Sequence, residues 1–421
     1  MSTVLFLSGQ TMGDALGSTG RSFQRLFESL GHDFVTIDFS DPEATAQLGG
    51  VISKGNIEFV FTFVGMGADL RGTTSDGKEG NLWEALRVPL ISVNGDSPAY
   101  FFDRHVMPGP MFACLYAYPE HHQLRKRLPE VRGLVGVVPH VVLDPTPKSA
   151  IDFSRKEQGK LLFLKNGNDP EKLLVAWREA LPDSVFLMLA DLAGELAGNL
   201  QGDVGNDIDA LVVAYFQNRG LDIDAMWNLR LFFIAQLDDY LRRLKSTLIT
   251  ESLLDFPIEV HGFNWEHVDF TNKRAKLVSF ADHNASRGLI RESLGLLDMS
   301  PNTGLAPHDR PMRAFGMHTL CLTNDQEYFR RRVPQLCDAF TFRFEPESVQ
   351  SKVADVLAHP RRYIDLGIEV ASAIHQGHEP EVFGQFMIDL AKCLKLEGAS
   401  RFPSLQPYFA WPPTSLAQSS V

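Results

Sequence analysis

Cysteine is scarce in this chain: Cys114, Cys321, Cys337 and Cys393 are the only four in 421 residues. No two are close enough for a Cys-x-x-Cys metal or redox site, and thiols so far apart do not form a disulfide framework. A reducing cytoplasm fits best. Long apolar runs are missing as well. Nothing approaches the ~20 residues of a membrane span, and the opening MSTVLFLSGQ lacks the basic region of a secretory leader. Surface contact through an amphipathic helix stays open. Positive charge is in deficit, with 40 Lys+Arg against 52 Asp+Glu and a net charge of −12. Such a chain repels nucleic acid unless it concentrates a basic patch. Only two short clusters occur, Arg125-Lys126-Arg127 and Arg330-Arg331-Arg332, and both read as solvated helix faces. Tyr and Trp are few, 8 and 5, beside 30 Phe. A packed core is the better reading of that excess than an aromatic acceptor groove. What remains is an ordinary globular balance, 44% hydrophobic and 22% charged. At roughly 100–200 residues per domain, the length suits two or three domains.

Through the first third, short apolar strands alternate with helical segments. Strands are expected at 4–7, 34–39, 57–64, 88–93, 111–116 and 134–138, and helices at 21–30, 78–86 and 100–105. This alternation predicts βαβ units and a parallel sheet, and near-continuous apolar strands predict a sheet covered on both faces. Residues 144–156 are polar and Pro-containing and read as a linker. Strand signals return at 160–165, 257–261, 276–280, 294–299 and 319–323, with helices at 348–359, 361–376 and 381–394. Asp169-Pro170 opens a helix, with Asp as N-cap and Pro in its first turn. The fold class is α/β. The expected organisation is a first Rossmann-like domain over 1–150 and a second over 151–385, with a helical insertion at about 190–255. A tail, 386–421, including the aromatic and Pro-rich stretch 402–411, should pack back on the first domain.

Ligands of open α/β sheets bind beyond the carboxyl ends of the strands. The loop 9–21 lies where a phosphate cradle would. Its glycine spacing, however, matches neither G-x-G-x-x-G nor a P-loop. Gly17, Ser18 and Thr19 within it suit either a solvent loop or an acceptor-facing loop. Asn94-Gly95-Asp96-Ser97-Pro98 places Asp96 past a strand end, as a helix N-cap or as a general base. His105 reads as structural. Lys165-Asn166-Gly167-Asn168 follows the first strand of the second domain, and a lysine beside free amides suits a diphosphate or a plain polar turn. The most informative stretch is 294–324. A strand ends in a loop with Asn302, Thr303 and Gly304. A short helix then starts near His308-Asp309, with Arg310 and Pro311 in its first turn, and Gly316 ends it. A helix N-terminus bearing Arg310 is an anion site.

Over 160–323 the chain resembles GT-B glycosyltransferases, and is most similar to the bacterial group that includes the spore-maturation-type glycosyltransferases. Arg310-Pro-Met-Arg313-Ala-Phe-Gly316 is similar to that group's Arg-x-Phe-Glu-Ala-x-x-Gly pattern. Gly262-Phe-Asn264-Trp265 resembles its strand-Gly-x-x-Trp element. The segment from Lys160 to Asn168 resembles its domain-opening strand and turn, and Asn94 to Pro98 its Asp-containing loop. The resemblance implies a GT-B-like pair of facing Rossmann-like domains. It implies a cytoplasmic hexosyl- or deoxyhexosyltransferase that works without cofactor or metal. The donor would be a UDP-, GDP- or dTDP-linked sugar and the acceptor a hydroxyl of a glycan, protein or small molecule, held in the cleft between domains.

The resemblance also implies residue roles. Donor contacts fall to Lys165, Asn166, Gly167, Gly262, Asn264 and Trp265. They continue through Asn302, Thr303, Gly304, His308, Asp309, Arg310 and Arg313. Gly17, Ser18, Thr19 and Asp96 would face the acceptor. Asp96 would be the base if the reaction inverts, and His308 is the second catalytic candidate, near the departing diphosphate. In one departure, Arg313 stands where the family usually has a Glu for the donor ribose. A catalytically silent binding or scaffold protein and a nucleotide-sugar epimerase of the same architecture are the alternatives.

Overall fold

Apolar runs in the first third become β1 (Thr3–Ser8), β2 (Asp33–Asp38), β3 (Ile57–Phe63), the hairpin strands β4 (Arg71–Thr73) and β5 (Glu79–Asn81), β6 (Leu90–Asn94), β7 (Phe112–Tyr116) and β8 (Leu134–Val137). This is a computed structural model, and it describes residues 2–9, 15–73, 79–106, 109–129, 133–138, 140–200, 207–300, 302–399 and 408–410. One sheet has the order Tyr408–Ala410, β8, β7, β6, β3, β1, β2, with every neighbouring pair parallel. All residues of β6 and β7 are buried, as a sheet covered on both faces requires. Much of the Phe excess is spent on one of those faces. Phe6, Phe59 and Phe61 of the sheet meet Phe23 and Phe27 of helix Ala15–Ser29, and Phe383 and Phe386 of helix Pro380–Ala399. Phe23 lies edge-on to Phe61 at 4.8 Å and tilted to Phe383 at 5.6 Å, geometries that suit the ring quadrupole. The other face packs Leu5, Leu7, Val60 and Phe112 against Leu48 and Trp83.

The second sheet has the order β11 (Lys276–Val278), β10 (Ile258–His261), β9 (Leu161–Leu164), β12 (Gly295–Leu297), β13 (Leu320–Asn324), β14 (Thr341–Phe342), again all parallel. Between β9 and β10 run helices Pro170–Ala180, Asp183–Gly198, Ile208–Gln217 and Trp227–Ser252. Asp169 caps the first by accepting from Glu171 N. The chain divides into two compact units, Met1–Leu143 with Gly377–Val421, and Asp144–Gln376.

Several expectations need correction. Residues 78–86 do not form one helix: Glu79–Asn81 pairs antiparallel with Arg71–Thr73. The Asn81 side chain then accepts from Trp83 N and Glu84 N, so helix Leu82–Leu86 starts only after it. The stretch 144–156 is not an open linker. It holds the short turn Lys148–Ala150 and the helix Phe153–Glu157, and it buries Lys156. Arg125 is not solvated either. It is buried, with its guanidinium donating to Pro129 O at 2.9 Å and Leu128 O at 3.3 Å. Of the stretch 402–411, only strand Tyr408–Ala410 lies within the described residues.

Candidate functional site

In the second sheet the strand order reverses between β9 and β12, and such a switch point opens a crevice at the carboxyl ends. Lys165 directly follows β9, and Asp298 directly follows β12. Asp298 is fully buried. Arg310, on helix Asp309–Phe315, brings Nε to 2.8 Å from Asp298 Oδ1 and donates from Nη1 to Leu164 O at 2.6 Å. Its Nε also lies 3.3 Å from His308 Nδ1. Lys165 is half-buried. Burial first, then the Arg310 and Arg242 charges, pull its ammonium down to about 7, while Asp298 and Asp238 hold it up.

Asp238, Arg242 and Lys245 come from helix Trp227–Ser252, and sequence reasoning missed them. Asp238 Oδ2 pairs with Arg242 at 2.8 Å. Asn302 donates from Nδ2 to Asp238 Oδ1 at 2.7 Å and accepts from Lys245 Nζ at 2.9 Å. Burial lowers the Lys245 ammonium to about 8, with Asp238 opposing and Arg242 adding to the shift. A usable signal existed: the three residues recur at i, i+4 and i+7, a charged stripe within a largely apolar helix. Lys165, Arg242, Lys245 and Arg310 stand here with the carboxylates Asp238, Asp298 and, beside Arg310, Asp309. The excess of cationic side chains beside strand ends suits a polyanion.

Asn166, Gly167, Gly262, Asn264 and Trp265 tie the loop after β9 to the loop after β10. Asn166 Oδ1 accepts from Phe263 N at 3.0 Å, and Gly167 N donates to Phe263 O at 2.9 Å. Trp265 Nε1 donates to Lys165 O at 2.9 Å, and Asn264 Nδ2 to Asn168 Oδ1 at 2.9 Å. A Cβ on Gly262 would stand 2.2 Å from Lys165 O, and one on Gly167 2.2 Å from the Trp265 ring. Both glycines are therefore demanded by close approach. The pinned loops expose Phe263, whose ring stacks on Phe280 at 5.0 Å.

Thr303 is buried and its carbonyl accepts from Ser300 Oγ, while Gly304 O accepts from Tyr328 N at 3.2 Å. These contacts fix the loop before the short helix. His308 is the N-cap of that helix, with Nδ1 2.7 Å from Asp309 Oδ1. Arg313 stands 3.9 Å from Asp309 Oδ2 and donates to Ser286 Oγ and, at 3.5 Å, to His283 O. Arg313 is thus tied to the neighbouring helix His283–Glu292.

The remaining sequence candidates lie in the other unit. Asp96 follows β6 and does not act as a helix N-cap. A turn closed by Tyr100 N on Ser97 O intervenes, and the next helix, Phe102–His105, starts from Phe101. The Asp96 side chain is half-buried. Beneath its loop, Ser92 Oγ accepts from Gly65 N at 2.7 Å and Asn94 Nδ2 donates to Leu115 O at 3.2 Å. His105 is buried with Nδ1 2.8 Å from Tyr116 Oη. Burial, then Arg125 and Arg104, push it down to about 4, so it is a neutral structural histidine. Gly17, Ser18 and Thr19 belong to helix Ala15–Ser29 and not to a loop. Ser18 is buried there and its carbonyl accepts from Ser22 Oγ at 3.4 Å. The helix begins earlier than the glycine content suggests because packing on the sheet overrides propensity.

No family model matches the chain, and no curated protein matches it. Solved structures do. A sucrose-phosphate synthase from Thermosynechococcus elongatus aligns with a TM-score of 0.50 at 9% identity, over 95% of this chain and 100% of that one. The T4 phage BGT in complex with UDP and Mn2+ aligns at 0.48 and 8% identity, over 92% and 100%. A glycosyltransferase from Rickettsia africae ESF-5 aligns at 0.40 and 11%, over 95% and 99%. At such identities the likeness describes architecture: the chain has a GT-B-like α/β fold built on two parallel sheets.

Proposed function

We propose that the protein is a glycosyltransferase of the spore-maturation type that moves a hexosyl or deoxyhexosyl unit from a UDP-, GDP- or dTDP-linked donor to an acceptor hydroxyl. The observation that carries this reading is the set of cations Lys165, Arg242, Lys245 and Arg310 at the switch point of the second sheet. A departing nucleoside diphosphate gains negative charge as the sugar acquires oxocarbenium character, and stabilising that charge is the main electrostatic task. Side chains and the amides near Asn302–Gly304 would carry it without a metal. Phe263, exposed and stacked on Phe280, offers an apolar ring face for a nucleotide base. Asp96 in the first unit is the base we assign for an inverting transfer to a glycan, protein or small-molecule hydroxyl, with His308 at the leaving group.

Thermal unfolding with UDP, GDP, dTDP and CMP, and their sugars, tests the reading. A nucleotide at 100 times its dissociation constant adds roughly 2.7 kcal/mol. No shift with any of them sinks it. Binding without transfer to any acceptor leaves the silent-binder reading. Asp96→Asn keeps the size but removes basicity, so transfer should fall by 10²-fold or more, on the order expected for a lost general base, with donor binding intact. Full activity in that variant removes Asp96 from catalysis.

A further inference from the structure

Asp298 is a fully buried carboxylate at the end of β12, yet neither of its oxygens accepts a hydrogen bond from the described residues. Its stabilisation comes from charge: Arg310 Nε lies 2.8 Å from Oδ1, and Lys165 feels the same carboxylate. Burying an acid without hydrogen bonds is costly, and here only its attraction to neighbouring cations offsets that cost. Arg310 is held on three sides. Nη1 donates to Leu164 O at 2.6 Å, Nε faces His308 Nδ1 at 3.3 Å, and Asp298 sits against Nε. Among the described residues, Nη2 is the guanidinium nitrogen without a contact.

We propose that Asp298 is a positioning residue, which fixes the guanidinium of Arg310 so that Nη2 is kept for the diphosphate of the ligand. The proposal rests on the reading of this pocket as a nucleoside-diphosphate site. A guanidinium pre-set in one orientation loses little rotamer freedom when an anion arrives, which is the advantage of a rigid fork over a mobile ammonium. Asp298 has a second consequence for the pocket. Four charged groups face Lys165: Arg310 on helix Asp309–Phe315, Arg242 and Asp238 on helix Trp227–Ser252, and Asp298 after β12. Removing the Asp298 charge leaves two cations against Asp238 alone. Lys165 would then lose its proton at lower pH, and the pocket would lose a cation under conditions where the native chain keeps it.

The test is calorimetric titration of inorganic pyrophosphate, between pH 6 and 9, into the whole chain and two variants whose folding is checked by circular dichroism. Asp298→Asn should bind about tenfold more weakly at pH 7, the scale of a charge-assisted contact. The pH above which its affinity fades should also move down, which a merely structural role would not produce. Arg310→Lys keeps the charge and a partner for Asp298 but cannot reach all three anchors. It should lose affinity to a similar degree, and it carries the test if Asp298→Asn does not fold. Native affinity in Arg310→Lys, or native affinity and pH dependence in a folded Asp298→Asn, overturns the positioning role while leaving the diphosphate site standing. Failure of the native chain to bind pyrophosphate overturns that site, and the positioning role with it.

Discussion

Lys156 is 1% exposed, and its ammonium donates to Thr319 Oγ1 and, at 3.4 Å, to Ile290 O. Burial, with a smaller push from Arg291, lowers it from 10.5 to about 7. Between those values the unfolded chain holds a proton that the folded chain does not, so folding stability rises with pH across that window. The cost is greatest at and below neutral pH. Lys156→Met keeps the aliphatic stem and removes the charge, and Thr319 Oγ1 still donates to Ile290 O at 2.9 Å. We expect a gain of roughly 1–2 kcal/mol at pH 7, shrinking towards pH 10, because the lost hydrogen bonds offset part of the relief. Denaturant unfolding of both chains at pH 6, 8 and 10 checks this, and parallel stability curves would show that the buried ammonium keeps its proton. Residues of this kind are hard to read from sequence. Lys156 lay in a stretch polar enough to pass for a linker, and Arg125 in a basic triplet that suggested solvent. Burial depends on partners far along the chain, such as Thr319 for Lys156, and no local pattern announces them.

At the scale of elements, local chemistry was most legible where it was self-sufficient. β1 is built on the apolar run Val4–Leu7 and β7 on Phe112–Leu115, and Asp169-Pro170 carries its own cap and first-turn signal. Helix Ala44–Lys54 and the two-residue strand β14 have no distinct period or length that a sequence pattern could show. Residues 78–86 have a locally helical pattern, but cross-strand pairing of β5 with β4 is a non-local reward that overrides it. The loops around the candidate site fell between these cases: their glycines were visible, but their reason was not. Gly262 is required because the loop after β10 lies on the carbonyl of Lys165, 2.2 Å from where a Cβ would stand. A carbonyl within the backbone cannot rotate away as a side chain can. Gly262→Ala should therefore part the two loops at a cost of about 1–3 kcal/mol, as overpacking does, and should weaken pyrophosphate binding because Lys165 moves with its carbonyl. Thermal unfolding and titration of this variant check both effects. Unchanged binding would show that Lys165 does not depend on the pinned loops.

The whole molecule is discontinuous in sequence. The first unit begins at Met1, breaks at Leu143, and is resumed at Gly377 after the entire second unit. Its Phe-rich face is closed by helix Pro380–Ala399, which contributes Phe383, Phe386, Met387, Ile388, Leu390, Ala391 and Leu394 to the core. Lys395 adds an ion pair to Glu58 on β3 at 3.0 Å. Burying one large apolar side chain is worth about 1.5–3 kcal/mol, so this one helix carries stabilisation comparable to the roughly 5–15 kcal/mol margin of a domain. The second sheet lies wholly within Asp144–Gln376. A chain ended at Gln376 should consequently lose the first unit while keeping the second. Hydrogen exchange is the direct measurement. Amides of β1, β3 and β6 should exchange freely in the shortened chain, and those of β9, β12 and β13 should stay protected. Protection retained in β1 and β3 would mean that the Phe cluster closes without its last helix. Protection lost in both sheets would mean that the second unit does not fold alone. In the expected case the shortened chain should still bind pyrophosphate through Lys165 and Arg310, which separates the charge of the second sheet from any contribution of Asp96.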